Sequence, residues 1–281
     1  MPHSFGLENA EEAVRYSFLS VAVWWGLFAL FTIFWVDEQK TYSARSWRDT
    51  LVEGFKQFVS TFRAIRRLRT VFLFLLAYWL YIDGVDTIIR MAVDYGLSLG
   101  FQDSDLILAL LITQFVGFPA AILYSKMGHK WGVRKAIFLA IGVYMLVTVW
   151  GVMMNNRTEF YVLAIVIGLV QGGIQALSRS YYARLIPLDQ AGEFYGFYNM
   201  LGKFAAIMGP ALVGAAGLVT RRILMPPSPS EAELLHVGRI ASRWSIGSLL
   251  ILFVLGAVLL YFVKEEEGEP EEKQHPGSKA A

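Results

Sequence analysis

Seven long apolar segments constrain the fold of this chain more than any other feature of its sequence. A helix needs about 20 consecutive, mostly apolar residues to cross the hydrocarbon core of a bilayer. A composition that is 56% hydrophobic and 15% aromatic is also more apolar than that of an ordinary soluble domain. The sequence therefore predicts an all-α integral membrane protein with seven spans, at residues 16–36, 71–93, 105–124, 136–154, 160–177, 194–219 and 245–263.

The distribution of lysine and arginine predicts how these spans are oriented. Residues 37–70 hold eight of them, the connection "YSKMGHKWGVRK" four, the turn after the fifth span two, and the tail three. The alternate connections hold fewer: one lysine or arginine before the first span, none after the second, and one after the fourth. The stretch 221–243 holds four and is the one connection that departs from this alternation. Because cytoplasmic connections are rich in these residues, we expect an inner (cell) membrane protein with residues 1–15 outside and the C-terminus in the cytoplasm.

The connection at residues 37–70 contains a predicted amphipathic helix. Its apolar stripe and its basic residues fall on different faces. Two interpretations fit equally: a helix lying on the anionic inner leaflet, or one docked against the cytoplasmic ends of the spans. The tail, residues 264–281, is acidic and is expected to be disordered. The stripe comprises Leu51, Phe55, Phe58, Phe62 and Ile65, and the basic residues are Lys56, Arg63, Arg66, Arg67 and Arg69.

The second span carries a stripe of charged side chains. In "YIDGVDTIIRMAVDYG", Asp83, Asp86, Arg90 and Asp94 are spaced three, four and four residues apart, which places them on one helix face. A charge at the bilayer centre costs about 2.5 to 3.5 kcal/mol, so the stripe must face other polar groups or a hydrated cavity. Gly84 would permit a local break in this helix.

Two interpretations of this stripe remain open. In the structural one, Asp86 pairs with Arg90, Asp94 reaches the outer interface and Asp83 bonds to a neighbouring helix. In the functional one, the stripe lines a solute pathway, and a carboxylate changes its protonation or pairing during transport. Asp83 is then the expected proton carrier, because it is left without a local partner once Asp86 and Arg90 pair.

Other polar residues within the spans are also candidates for the pathway. Lys203 either meets a carboxylate across a cavity or extends to the cytoplasmic interface, and Asn199 lies one turn before it. Gln114, Gln171 and Gln175 either contact solute or join helices by hydrogen bonds. The small-residue pairs Gly168 with Gly172 and Ala205 with Gly209 predict close helix packing.

Enzyme chemistry is poorly represented in this sequence. Cysteine is absent, the four histidines fall in predicted connections or termini, and no phosphate-binding glycine loop occurs. We therefore expect no catalysis, no metal, no cofactor and no nucleic-acid partner.

Several motifs resemble those of a known transporter family. In "SKMGHKWGVRK", Lys130, Gly132, Arg134 and Lys135 match or nearly match the cytoplasmic motif G-x-x-x-D-[RK]-x-G-[RK]-[RK] of the major facilitator superfamily, while Ser125 and His129 depart from it. With "YIDGVDTIIRMAVDYG", "LILALLITQFVGFPAA", "GLVQGGIQALSRSYYARLIP" and "GEFYGFYNMLGKFAAIMGP", residues 71–263 resemble the carboxyl-terminal half of one branch. That branch comprises the vacuolar amino-acid effluxer of autophagy and its bacterial relatives.

The resemblance implies a fold and a function. Transporters of this superfamily have two six-helix halves around a central cavity, so residues 16–36 correspond to the last helix of the first half. We expect either that the sequence is a truncated reading of a longer gene or that a partner chain supplies the missing helices. The implied function is secondary active transport of a small polar solute, such as an amino acid, by alternating access. Proton coupling is a separate hypothesis, which rests on Asp83. The alternative is a non-transporting scaffold or receptor that retains the fold.

Overall fold

The computed structural model describes residues 10–36 and 47–264, and every regular element within those ranges is a helix. Seven helical segments in them are long and apolar enough to cross a membrane, as predicted. The chain divides into two compact units, residues 1–52 and 53–281. The helices are α1 (Ala10–Trp35), α2 (Trp47–Arg67), α3 (Arg69–Ser98), α4 (Asp103–Trp131), α5 (Val133–Met153), α6 (Arg157–Leu185), α7 (Ala191–Leu224), α8 (Glu231–Gly247) and α9 (Leu250–Phe262), with a short 3₁₀ turn at Leu188–Gln190.

Helix α1 belongs to the first unit and is apolar around its whole circumference. It begins six residues before the predicted span, which starts at residue 16. Large side chains such as Phe18, Trp25 and Phe34 are exposed. A helix that is apolar on every side requires lipid or other apolar helices around it.

The second unit is a bundle in which α3 is the central helix. Helix α3 packs against both α7 and α9, α4 packs along α6, α5 contacts α6, and α8 contacts α7. Tyr81, Tyr144 and Phe253 are among the fully buried side chains of the core. Large apolar side chains such as Phe115 and Phe118 remain exposed, which suits a surface that meets hydrocarbon.

Glycines allow close approach at two helix contacts. A Cβ atom at Gly256 of α9 would lie 3.0 Å from the Cβ of Tyr81 and 3.3 Å from the carbonyl oxygen of Ala77. Between α4 and α6, a Cβ at Gly168 would lie 2.8 Å from the carbonyl oxygen of Thr113. The close approach that the Gly168 and Gly172 spacing predicted is therefore present.

Gly84 does not break α3, contrary to the sequence-based expectation. The helix is continuous from Arg69 to Ser98. A Cβ at Gly84 would lie 2.9 Å from the ring of Phe253. This glycine therefore makes room for an aromatic ring of α9.

Most of the connection between α4 and α5 is helical. Only Gly132 separates the two helices, and its φ of +91° lies in the region that favours glycine. Arg134 donates a hydrogen bond to the carbonyl oxygen of Tyr261, at 2.6 Å, in the last turn of α9. Lys130 and Lys135 are exposed. Gly132 thus forms the turn, and Arg134 supports the end of α9.

The stretch 221–243, predicted as a loop, is largely helical. Arg221 lies in the last turn of α7, and Arg239 and Arg243 lie in α8. The last span consists of α8 and α9 with a break at Ser248 and Leu249, instead of one helix that starts at residue 245. Hydropathy missed this extension because it detects the apolar length of a segment, whereas a helix can continue past the hydrocarbon.

Arg243 has a structural partner that explains a charge in this discordant stretch. Its guanidinium donates to the carbonyl oxygen of Met154, at 2.9 Å, and to Oδ1 of Asn155, at 2.6 Å. It therefore satisfies acceptors where α5 ends.

Helix α2 docks on the bundle from Gln57 onwards. Gln57 and Thr61 donate hydrogen bonds of 2.8 and 2.6 Å to the two carboxylate oxygens of Glu193, in the first turn of α7. The rings of Phe58 and Phe62 lie 5.7 and 5.9 Å from that of Phe197, and Ile65 is fully buried. These contacts match the docking interpretation of the amphipathic helix.

We expect Gly256→Ala to lower the thermal unfolding temperature of the purified chain. Alanine normally favours a helix by about 1 kcal/mol over glycine, but here its methyl group would press against the backbone of α3. Gly142→Ala is the matched control, because a Cβ there has no heavy atom within 4 Å. If Gly256→Ala is as stable as Gly142→Ala, the proposed tight contact between α3 and α9 is wrong.

We also expect Arg243→Met to destabilise the bundle by about 1.5 to 3 kcal/mol, because it removes hydrogen bonds donated by a charged group. Arg239→Met is the control: Arg239 lies one turn earlier on α8, is exposed, and has no hydrogen bond within the described residues. The measurement is thermal unfolding in one detergent. Equal effects of the two substitutions would contradict the bridging role.

Candidate functional site

A polar cleft opens between α3, α6 and α7. Its volume is about 450 Å³. One carboxylate, one guanidinium, two side-chain amides and two phenols line it, together with small residues of α6 and α7. The lining residues are Tyr78, Ile82, Asp86, Gly172, Gln175, Ala176, Arg179, Tyr198, Asn199 and Gly202.

Stacked tyrosines build one wall of the cleft. The rings of Tyr78 and Tyr198 lie 4.3 Å apart, and Tyr182 stacks on Tyr198 at 4.9 Å. The hydroxyl of Tyr182 donates to the carbonyl oxygen of Phe194, at 3.0 Å. This wall joins α3, α6 and α7 through large rings that have few rotatable bonds.

Helix α6 is fixed to α3 beside the cleft. Ser178 Oγ lies 2.6 Å from the carbonyl oxygen of Ile174 and 2.6 Å from the hydroxyl of Tyr81. Because the hydroxyl of Ser178 donates its proton to the carbonyl oxygen of Ile174, its oxygen accepts the hydrogen bond from the hydroxyl of Tyr81. The next residue, Arg179, lies 5.4 Å from the ring of Tyr195 and lines the cleft.

Asp86 and Arg179 bring opposite charges to the same cavity. Asp86 is partly buried and Arg179 is exposed. Neither side chain forms a direct ion pair within residues 10–36 and 47–264. Arg90 still acts on the charge of Asp86, so the predicted pair is present as a longer-range attraction and not as a direct contact. Both charges are therefore available to a bound molecule.

Asp83 does not line the cleft. It is fully buried between α3 and α7, where Oδ2 accepts the backbone N–H of Gly209 at 2.9 Å. Its Oδ1 accepts the hydroxyl of Thr87 at 3.4 Å. This contact matches the structural interpretation, in which Asp83 bonds to a neighbouring helix. The reason for choosing Asp83 as the proton carrier, its lack of a local partner, is wrong, because Thr87 and Gly209 both donate to it.

The remaining predicted residues divide into two groups. Asp86, Gln175 and Asn199 lie together on the cleft. Five others are placed outside its lining, and four of these are exposed: Arg90, Gln114, Lys203 and Asp94, with Gln171 partly buried.

Three lining residues were missed by the sequence analysis: Arg179, Tyr78 and Tyr198. Arg179 follows Gln175 by four residues and therefore continues the same helix face. It was assigned to a connection because the apolar segment ends near residue 177, whereas α6 continues to Leu185. Within the described part of the chain, no group of three or more His, Asp or Glu could hold a metal ion.

We expect Asp83→Ala to lower stability by about 1 to 3 kcal/mol, because the Gly209 amide and the Thr87 hydroxyl lose a buried acceptor. Asp83→Asn retains an acceptor oxygen, so its unfolding temperature should stay near that of the unsubstituted chain. Thermal unfolding of the two variants under identical conditions checks this. Indistinguishable stabilities would show that the contact with α7 contributes little.

Comparisons with known proteins identify the family of this chain. The family model described as "Vacuole effluxer Atg22 like" matches residues 2–226. The MFS-type transporter YxiO of Bacillus subtilis is 40% identical over 258 residues, which is 92% of this chain and 55% of YxiO. Autophagy-related protein 22-1 of Aspergillus niger is 27% identical over 72% of this chain and 36% of its own length. Autophagy-related protein 22-2 of Penicillium rubens is 26% identical over 94% and 45%, respectively.

The chain thus spans about half, or less, of the length of these curated relatives. No solved structure matches it. The match to the family model covers most of the chain. The regular structure of the described residues is entirely helical, with seven segments that could span a membrane. The chain belongs to the Atg22-like vacuole effluxer family.

Proposed function

We propose that this chain provides the carboxyl-terminal half of a secondary active transporter that moves a small zwitterionic solute, such as an amino acid. The observation that carries the proposal is the presence on one cleft of a carboxylate and a guanidinium that form no direct ion pair within the described residues, Asp86 and Arg179. The name of the relative YxiO, a transporter, and the description of the family, a vacuole effluxer, support transport over catalysis.

The chemistry of the cleft suits a molecule that carries both charges. The carboxylate of Asp86 would attract an ammonium group, and the planar guanidinium of Arg179 would bind a carboxylate through two parallel hydrogen bonds. The amides of Gln175 and Asn199 can donate and accept hydrogen bonds to neutral polar groups. A solute that binds all of these groups gains contacts that compensate for the hydrogen bonds to water that it loses on entering the membrane.

The cleft lies toward one end of the bundle. Tyr78 and Asn199 lie in the first third of α3 and α7, and Arg179 lies in the last third of α6. Because the lysine and arginine distribution assigns this end to the cytoplasm, we place the cleft on the cytoplasmic side of a cell membrane. The N-terminus would then be outside and the C-terminus inside.

A second six-helix half would close the other side of the site. Secondary transporters of this kind bind solute between two repeats and rock one repeat against the other. Arg90 and Lys203 are exposed near the cleft-lining residues Asp86 and Gly202. We propose that these two cations face the other half, whether that half lies in the same gene or in a partner chain.

Proton coupling, if it operates through this chain, is better assigned to Asp86 than to Asp83. Asp86 reaches the cleft, whereas protonation of Asp83 would weaken the acceptor that holds Gly209. Asp83 therefore has the geometry of a structural carboxylate.

We expect Asp86→Asn to abolish solute flux and Asp83→Asn to retain it. The assay is uptake of a panel of tritiated amino acids into liposomes that contain this chain together with a first transporter half. Loss of flux in Asp83→Asn with retention in Asp86→Asn would reverse the assignment. Solute binding without flux in the unsubstituted protein would favour a receptor or scaffold.

The charge assignment within the site has a separate test in binding. We expect Arg179→Gln to remove the preference for a free amino acid over its methyl ester, because the guanidinium no longer recognises the carboxylate. Asp86→Asn should instead remove the preference over the N-acetyl derivative. Each loss should be at least about tenfold in affinity, which corresponds to about 1.4 kcal/mol. Unchanged preferences in both variants would reject the zwitterion site.

A further inference from the structure

The docked face of α2 fixes where its other face points. Gln57, Thr61 and Ile65 face the bundle, the first two through Glu193 and the third by complete burial. Because a helix turns by about 100° per residue, the positions opposite these residues must point away from the bundle.

Three basic residues occupy the opposite side and a fourth flanks them, and we refer to Lys56, Arg63, Arg66 and Arg67 as the basic ridge. Lys56, Arg63 and Arg67 fall within about 40° of one another around the helix axis and about 160° from the mean direction of the buried Thr61 and Ile65. Arg66 flanks them. All four side chains are exposed.

The basic ridge has no anionic partner within the described residues. No ion pair joins any of its four side chains to a carboxylate of residues 10–36 or 47–264. Four like charges along one helix repel one another, so an anion that lies along the ridge would be attracted to all of them.

The chain that follows α9 starts close to this ridge. Helices α3 and α9 pack together, and Gly256 of α9 lies beside Tyr81 of α3. Seven residues later Val263 is fully buried in the same core cluster as Val71 and Ile65. Phe253 lies against Gly84 and Gly256 against Tyr81, so α9 runs antiparallel to α3 and its end lies toward the start of α3, where α2 ends.

We propose that the acidic tail, residues 265–281, binds the basic ridge of α2. Six glutamates fall within residues 265–272. The ridge from Lys56 to Arg67 is about 16 Å long at 1.5 Å per residue, and eight extended residues reach up to about 28 Å. The glutamates can therefore cover the whole ridge from the point where the tail begins.

This contact would act on the transporter bundle as well as on the tail. The helix that carries the ridge also holds Glu193 in the first turn of α7. A bound tail neutralises the self-repulsion of the ridge and favours the docked position of α2. Anionic phospholipid is the competing occupant, because its headgroups carry the same charge as the glutamates.

The absence of cysteine from the sequence permits a direct test with a single introduced pair. The full chain carrying Ser60→Cys on α2 and Gly268→Cys in the tail is placed in phosphatidylcholine nanodiscs and treated with a short bis-maleimide. Intramolecular cross-links are counted by peptide mass spectrometry. We expect efficient cross-linking at 0.1 M salt and a several-fold loss at 1 M, because the Debye length falls from about 10 Å to about 3 Å.

Matched variants separate the ridge from general charge effects. Replacing Lys56, Arg63, Arg66 and Arg67 with Gln should reduce cross-linking several-fold. Replacing four exposed cations elsewhere, Lys126, Lys130, Lys135 and Arg184, with Gln should leave it unchanged. Replacing the six tail glutamates with Gln should give the same loss as the ridge variant without altering the folded bundle. Exchanging the charges, with Glu on the ridge and Lys in the tail, should restore the cross-link.

Two results would overturn the proposal. The first is equal cross-linking in the ridge variant and in its four-cation control. The second is the absence of a cross-link at 0.1 M salt in phosphatidylcholine, accompanied by ridge-dependent binding to phosphatidylglycerol. That outcome would assign the ridge to the lipid surface instead of the tail.

Discussion

The organisation of this bundle follows from the cost of placing charge in a membrane. Helix α3 carries several ionisable side chains within a span, and none of them can face hydrocarbon without a large penalty. The structure treats two of its carboxylates differently. Asp83 is removed from solvent and accepts a backbone N–H from α7, whereas Asp86 borders a polar cleft. Both carboxylates therefore depend on neighbouring helices: Asp83 on α7, and Asp86 on the cleft that α6 and α7 form with α3.

The hydrogen bond that Asp83 accepts from Gly209 lies beside a proline of α7. Pro210 lies inside that helix and has no N–H of its own. The preceding Gly209 has no side chain, and a Cβ there would lie 3.0 Å from Oδ1 of Asp83 and 2.8 Å from the Cβ of Thr87. Glycine is therefore needed for the carboxylate to reach the backbone. As elsewhere in membrane bundles, a small residue lets two helices approach closely enough for a polar group on one to form a hydrogen bond with the other.

The sequence predicted the features that depend on local pattern and failed where neighbours decide. Apolar length predicted seven spans, and the Gly168 and Gly172 spacing predicted a close helix contact. The three-residue step from Asp83 to Asp86 places both on one face, but it does not show that only Asp86 meets the cleft. Arg179 was missed for a different reason: hydropathy detects the hydrocarbon-facing part of a helix, and α6 continues beyond it.

The two attachments of α7 differ in strength, which suggests an order of movement. Glu193 holds α2 at the start of α7, Asp83 holds Gly209 about 24 Å further along, and Asn199 and Gly202 of the cleft lie between them. The bond at Gly209 is buried, so breaking it leaves polar groups without partners or water. The bonds at Glu193 lie closer to solvent, and water can replace them. If the proposed transporter rocks as we infer, the motion that reshapes the cleft should release the Glu193 end first and pivot about Gly209.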